Sequence, residues 1–82
     1  MSTTISHQEL HIRDLRTLGP GDTVEALRHG DVHYRGRVEA TAPDHGVVWV
    51  RDDSTGCRAM LHGNVYDVFL LRRAMAGLAR AA

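Results

Sequence analysis

Between residues 22 and 71 the chain alternates apolar and polar side chains in short runs, separated by breaks rich in glycine and aspartate. The longest run, VHYRGRVEA at residues 32–40, puts Val32, Tyr34, Gly36, Val38 and Ala40 on one side. His33, Arg35, Arg37 and Glu39 fall on the other. A period of two is strand geometry, because successive side chains of an extended chain point to opposite faces. The pattern predicts strands at 22–28, 32 to about 41, 47–52 and 57–62. The breaks HGD, APDHG and DSTG between them are turn-forming sequences. Val24, Ala26, Val38, Val48 and Val50 then form the expected core. Gly36 stands on the apolar side of the longest strand, where a missing side chain permits a sharp bend and close approach of another backbone.

The ends read differently. Residues 6–18, SHQELHIRDLRTL, have Ser6 three places before Glu9, the spacing of a capping box. His11, Leu15 and Leu18 share a helical face, with Ile12 off that stripe, and Pro20 cannot continue a helix. A short helix is expected over 6–18. At the other end, NVYDVFLLRRAMAGLARAA is either one helix capped by Asn64 or a short strand, YDVFLL, followed by a helix over 72–81. Closure of a small barrel needs a fifth strand, which favours the second reading. The expected fold is mainly β: one domain spanning residues 1–82, with a short N-terminal helix, a five-stranded barrel over 22–71 and a C-terminal helix.

Length supports a single domain of 82 residues. A chain this short buries only about 60% of the surface it exposes when unfolded, which makes oligomerisation a real route to stability. Ten basic and ten acidic residues cancel, whereas nucleic-acid binders as a class carry a basic excess. All ten basic residues are arginine. That choice suits bidentate recognition of phosphate or carboxylate, and a GC-rich coding sequence would produce it equally well. The single cysteine, Cys57, permits no internal disulfide and fits a reducing compartment. With no signal-type leader and no apolar run approaching the roughly 20 residues of a membrane span, a cytoplasmic location away from membranes is expected.

The run LRTLGPGDTVEALRHGDVHYRGRVEA resembles the first motif of the Sm-like branch of SH3-like barrels, with Gly30 as turn glycine and Gly36 as bend glycine. LHGNVYDV at residues 61–68 resembles the second Sm-like motif. The resemblance implies RNA contacts at His62, Gly63 and Asn64. It supplies no clean counterpart of the family's base-reading Asp-and-Asn pair, and Gly30 and Gly36 stand one residue further apart than is usual. A second resemblance, of VEALRHGDVHYRGRV to the first hairpin of Tudor-type barrels, implies an aromatic cage for methylated cations. Only Tyr34 and Trp49 are available to build it.

No catalytic constellation emerges. Cys57 has no identifiable base, Ser54 and Thr55 sit in a turn, and no glycine loop is suited to phosphate. The histidines lack the close pairing of a zinc site, so neither metal nor cofactor is expected. The candidate binding surface comprises His33, Arg35, Arg37, Trp49, His62 and Asn64. The three basic residues form a stripe that either meets phosphates and acidic peptides or pairs with Glu25 and Glu39. Trp49, between inward Val48 and Val50, points outward, as a binding anchor or under the terminal helix. Leu71, Met75 and Leu78 recur at helical spacing and require cover. The leading expectation is a non-catalytic module binding another protein, or itself through Leu71, Met75 and Leu78. The alternative is Sm-like binding of RNA or DNA.

Overall fold

The computed structural model describes residues 10–74. Six strands form one antiparallel sheet: β1 (Leu10–Ile12), β2 (Thr23–Arg28), β3 (Asp31–Ala42), β4 (Val47–Asp52), β5 (Arg58–His62) and β6 (Asp67–Arg72). They lie side by side in the order β1-β6-β2-β3-β4-β5. The four strands expected from the alternation and the fifth expected over YDVFLL are all present, displaced by about one residue or less at their ends. The barrel is not. β6 pairs with β2 on one side and with β1 on the other, so the edge a closing partner would need is already taken. Among the described residues the sheet stays open, with β1 and β5 as its margins.

The sheet nevertheless wraps a single core. Ile12 from one margin and Leu61 from the other belong to the same buried cluster as Val24, Ala26, Val38, Val48 and Val50. The bend falls in β3. Its first part pairs with β2 through Arg37, and its second part pairs with β4 from Gly36 onward. Gly36 therefore has a strand on both sides. A Cβ placed there would run into the Arg51 carbonyl, 2.7 Å from its carbon and 3.2 Å from Asp52 Cα. Only glycine allows the two backbones this close.

The N-terminal helix expected over 6–18 is not formed among the described residues. Residues 10–12 are strand, and Leu15–Thr17 make only a 3-10 turn. Asp14 begins that turn by accepting the Arg16 N–H at 3.0 Å, a local side-chain bond that competes with helix propagation upstream. Ile12, Leu15 and Leu18 are buried together. Their spacing of three also reads as a helical face, but here Leu15 and Leu18 lie one 3-10 turn apart and Ile12 is the inward residue of β1. His11 points the other way and stacks on Phe69 at 4.8 Å between ring centroids. At the far end Arg72 closes β6, and Leu71 sits half-buried on that strand rather than on a helix. Met75, Leu78 and the rest of the expected C-terminal helix lie outside the described residues, as do Ser6 and Glu9.

Two buried aspartates fasten the loops. Asp22 is 2% exposed and accepts the N–H groups of Gly19 at 2.9 Å and Ala74 at 2.7 Å, with the Arg73 guanidinium at 3.2 Å. It ties the chain beyond β6 to the turn before β2. Asp52 accepts from the Ser54 hydroxyl at 2.6 Å, the Arg35 N–H at 3.1 Å, and the Thr55 hydroxyl and N–H. The Ser54 hydrogen bond, then the Arg35 N–H and the Thr55 donors, outweigh desolvation and hold its pKa at about 2. Asp52 is a turn-forming residue, as DDSTG suggests.

Candidate functional site

Strand register decides which candidate side chains share a face. In an antiparallel pair, residues directly opposite each other project to the same side. Arg37 lies opposite Arg51, and Arg51 opposite Arg58. One step along, Ala40 lies opposite Trp49 and Trp49 opposite Met60. The face of β3, β4 and β5 turned away from the core thus carries a row of three arginines beside a row of Ala40, Trp49 and Met60. The Ala40 position corrects the simple alternation. The register slips between Val38 and Ala40, leaving Glu39 as the extra residue of a bulge. Ala40 consequently joins the outer side with Trp49.

The bulge also aims Glu39. Its carboxylate receives Arg51 Nε at 2.8 Å and Nη2 at 3.3 Å, and stands 3.4 Å from Arg58 Nε. Arg51 further donates to the Gly56 carbonyl at 2.9 Å. Arg58 lies over the Trp49 ring, 4.6 Å from its centroid, a cation–π arrangement. Trp49 is accordingly half-buried beneath an arginine, while Met60 is 44% exposed. The stripe of His33, Arg35 and Arg37 was expected to pair with Glu25 and Glu39, and of these Arg35 and Arg37 are the ones on the outer face. Neither Arg35 nor Arg37 makes an ion pair among the described residues, although Arg35 lies opposite Glu25 on β2.

The expected stripe is also broken at His33. A second slip, beside Ala26 and Leu27, leaves His33 unpaired between Val32 and Tyr34. His33 instead meets Tyr66 edge-on at 5.9 Å, and Tyr66 meets Tyr34 at 5.8 Å. Tyr34 and Tyr66 pack against the core. Tyr34, opposite buried Ala26, is on the inner face and Trp49 on the outer. The two residues available for an aromatic cage do not meet.

His62 and Asn64 come together elsewhere. The turn after β5 is drawn against the loop after β3 by Gly63 N–H donating to the Gly46 carbonyl at 3.1 Å. Between them and the segment after β1 lies an open hollow of about 430 Å3 lined by Arg13, Arg16, His45, His62 and Asn64. Arg16 is engaged by Asp14 at 2.8 Å, and their side-chain hydrogen bond holds the Asp14 carboxyl below its ordinary range. Arg13 has no ion pair among the described residues.

The six candidates therefore divide among three places: Arg35, Arg37 and Trp49 on the outer face, His62 and Asn64 at the hollow, and His33 beside Tyr66. Arg51, Arg58 and Met60 were missed. Their signal was available, because period two places Arg51 with outward Trp49 and sets Arg58 and Met60 opposite buried Leu61. Arg13 and His45 had no such signal, since only tertiary packing brings their loops together. No helix among the described residues is long and apolar enough to cross a membrane. No protein-family model, no curated protein and no solved structure matches the chain.

Proposed function

We propose that the chain is a non-catalytic interaction module that binds another protein, or a second copy of itself, at the outer face of β4 and β5, in the cytoplasm. The observation supporting this most is Met60, exposed beside Trp49 on a strand that has no neighbour on its far side among the described residues. Aromatic, arginine and methionine side chains at the centre of a patch are the composition of interface hot spots. A selection of random displayed peptides on the full chain, counter-selected on Met60→Asp, tests it. Peptides that depend on Met60 are expected. Failure to enrich any, together with a chain that stays monomeric at every concentration, would remove the reading.

A second reading, Sm-like binding of RNA or DNA, is favoured by one observation: His62 and Asn64 line the same hollow as Arg13 and His45. Arg35 and Arg37 would then extend the contact along β3. Binding of a short oligonucleotide that weakens steeply as salt rises is its signature. No binding at low salt would dismiss it.

A further inference from the structure

The direction of the β5 backbone follows from two hydrogen bonds at its ends. Asp52 donates its N–H to the Cys57 carbonyl at 2.8 Å, and Gly63 donates to the Gly46 carbonyl at 3.1 Å. Both Cys57 and Gly63 thus turn their peptide groups toward β4. Alternate residues of a strand turn theirs the same way, so Ala59 and Leu61 also face β4. Arg58, Met60 and His62 face outward. The His62 carbonyl is taken by the N–H groups of Val65 and Tyr66, both at 3.1 Å. Among the described residues, what remains on the margin is three donors, from Arg58, Met60 and His62, and two acceptors, from Arg58 and Met60. These same three residues carry their side chains on the outer face, beside Trp49 and Arg51.

Chemistry selects the partner. From Cys57 to Tyr66 there is no acidic residue. Of the neighbouring arginines, Arg51 and Arg58 share the single carboxylate of Glu39, and Arg37 makes no ion pair among the described residues. A second copy related by a two-fold axis through Met60 would set Arg58 against His62 and bring no carboxylate to either. An extended acidic segment supplies what is lacking. Opposite Met60 it needs an apolar side chain to lie against Met60 and Trp49. Two residues along, opposite Arg58, it needs Asp or Glu, because alternate residues of an added strand share one face.

We propose, resting on the interaction reading above, that β5 accepts an extended acidic peptide as a seventh strand, its backbone paired to Arg58, Met60 and His62 and its carboxylate meeting Arg58. Backbone pairing gives such a complex its affinity and the alternate side chains give its selectivity.

The test uses the full chain and four synthetic peptides. The first is Thr-Glu-Thr-Val-Thr-Glu-Thr-Val-Thr, the second replaces Glu by Gln, the third places proline at both Val, whose N–H groups face β5 in an antiparallel pairing, and the fourth replaces Glu by Arg. Trp49 is the only tryptophan, so its fluorescence reports binding, and amide exchange reports pairing. The acidic peptide is expected to bind and to slow exchange at Met60. The Gln and proline peptides should each bind about tenfold more weakly or worse. Arg58→Glu should lose the acidic peptide and gain its Arg-for-Glu counterpart.

Equal binding of the Gln peptide would overturn the carboxylate contact, and equal binding of the proline peptide would overturn strand addition. Concentration-dependent dimerisation that protects Met60 would give the margin to a second copy. An oligothymidylate that quenches Trp49 where no peptide does would give the face to nucleic acid. Either result overturns the proposal. Met60-dependent peptides from the display selection that show neither acidity nor alternation would overturn this inference while leaving the interaction reading standing.

Discussion

Replacing Gly36 by alanine should be among the most damaging single-methyl additions to this protein. The new Cβ would fall on the Arg51 carbonyl, within 2.7 Å of its carbon and 3.2 Å of Asp52 Cα. The obstructing atoms are backbone, so no rotamer change relieves the contact. The strands must part. Parting them also strains the Arg35 N–H bond to Asp52 at 3.1 Å and the Asp53 N–H bond to the Arg35 carbonyl at 2.8 Å. Overpacking costs about 1–3 kcal/mol, and an immovable neighbour puts Gly36→Ala near the upper end. For a domain of this length each kcal/mol lowers Tm by roughly 4–8 °C, giving a loss of roughly 12–24 °C. Gly19→Ala is the control, because nothing lies within 4 Å of a Cβ there. Thermal unfolding followed by circular dichroism decides the matter. A Gly36→Ala protein melting with the Gly19→Ala control would refute the close approach of β3 and β4 at the bend.

Asp52 should make stability depend on acidity. Its folded pKa of about 2 lies below the unfolded value of about 3.9. The contribution is complete above the unfolded value and drains away as pH falls from about 4 toward 2. Urea midpoints should drop over that window, and by less in Asp52→Asn. Asp22→Ala should cost about 1–3 kcal/mol for each buried N–H it orphans, with those of Gly19 and Ala74 the groups at stake. Denaturant titration against Asp22→Asn, which retains an acceptor oxygen, measures it. Arg58→Ala should uncover Trp49 and shift its emission to the red, since the guanidinium lies 4.6 Å over the ring. An unchanged spectrum would mean Arg58 does not cover it.

How far the sequence reached depended on how local each feature is. Val24, Ala26, Val38, Val48 and Val50 are all buried, because a half-buried strand must show its period of two in sequence. The strand Val47–Asp52 has the expected bounds. The bulges at His33 and Glu39 were not legible. Neither residue is a glycine, and a register slip is a property of the pair of strands rather than of one. That slip moved Ala40 to the outer face and turned Glu39 toward Arg51 and Arg58. β1 was hidden for another reason, as three residues are too few to display a period, and Leu15 and Leu18 lent the segment a helical appearance. The hollow holding His62 and Asn64 depends on a contact between two loops. That β5 is a margin among the described residues depends on β1 pairing with β6 instead.

Amide hydrogen exchange along β5 in the free, full-length chain tests the central claim most directly. Paired amides exchange far more slowly than those open to water. Ala59 and Leu61, turned toward β4, should be protected, while Arg58, Met60 and His62 should exchange rapidly. Equal protection at all five would show the margin already covered and would contradict both the open sheet and the binding edge assigned to it.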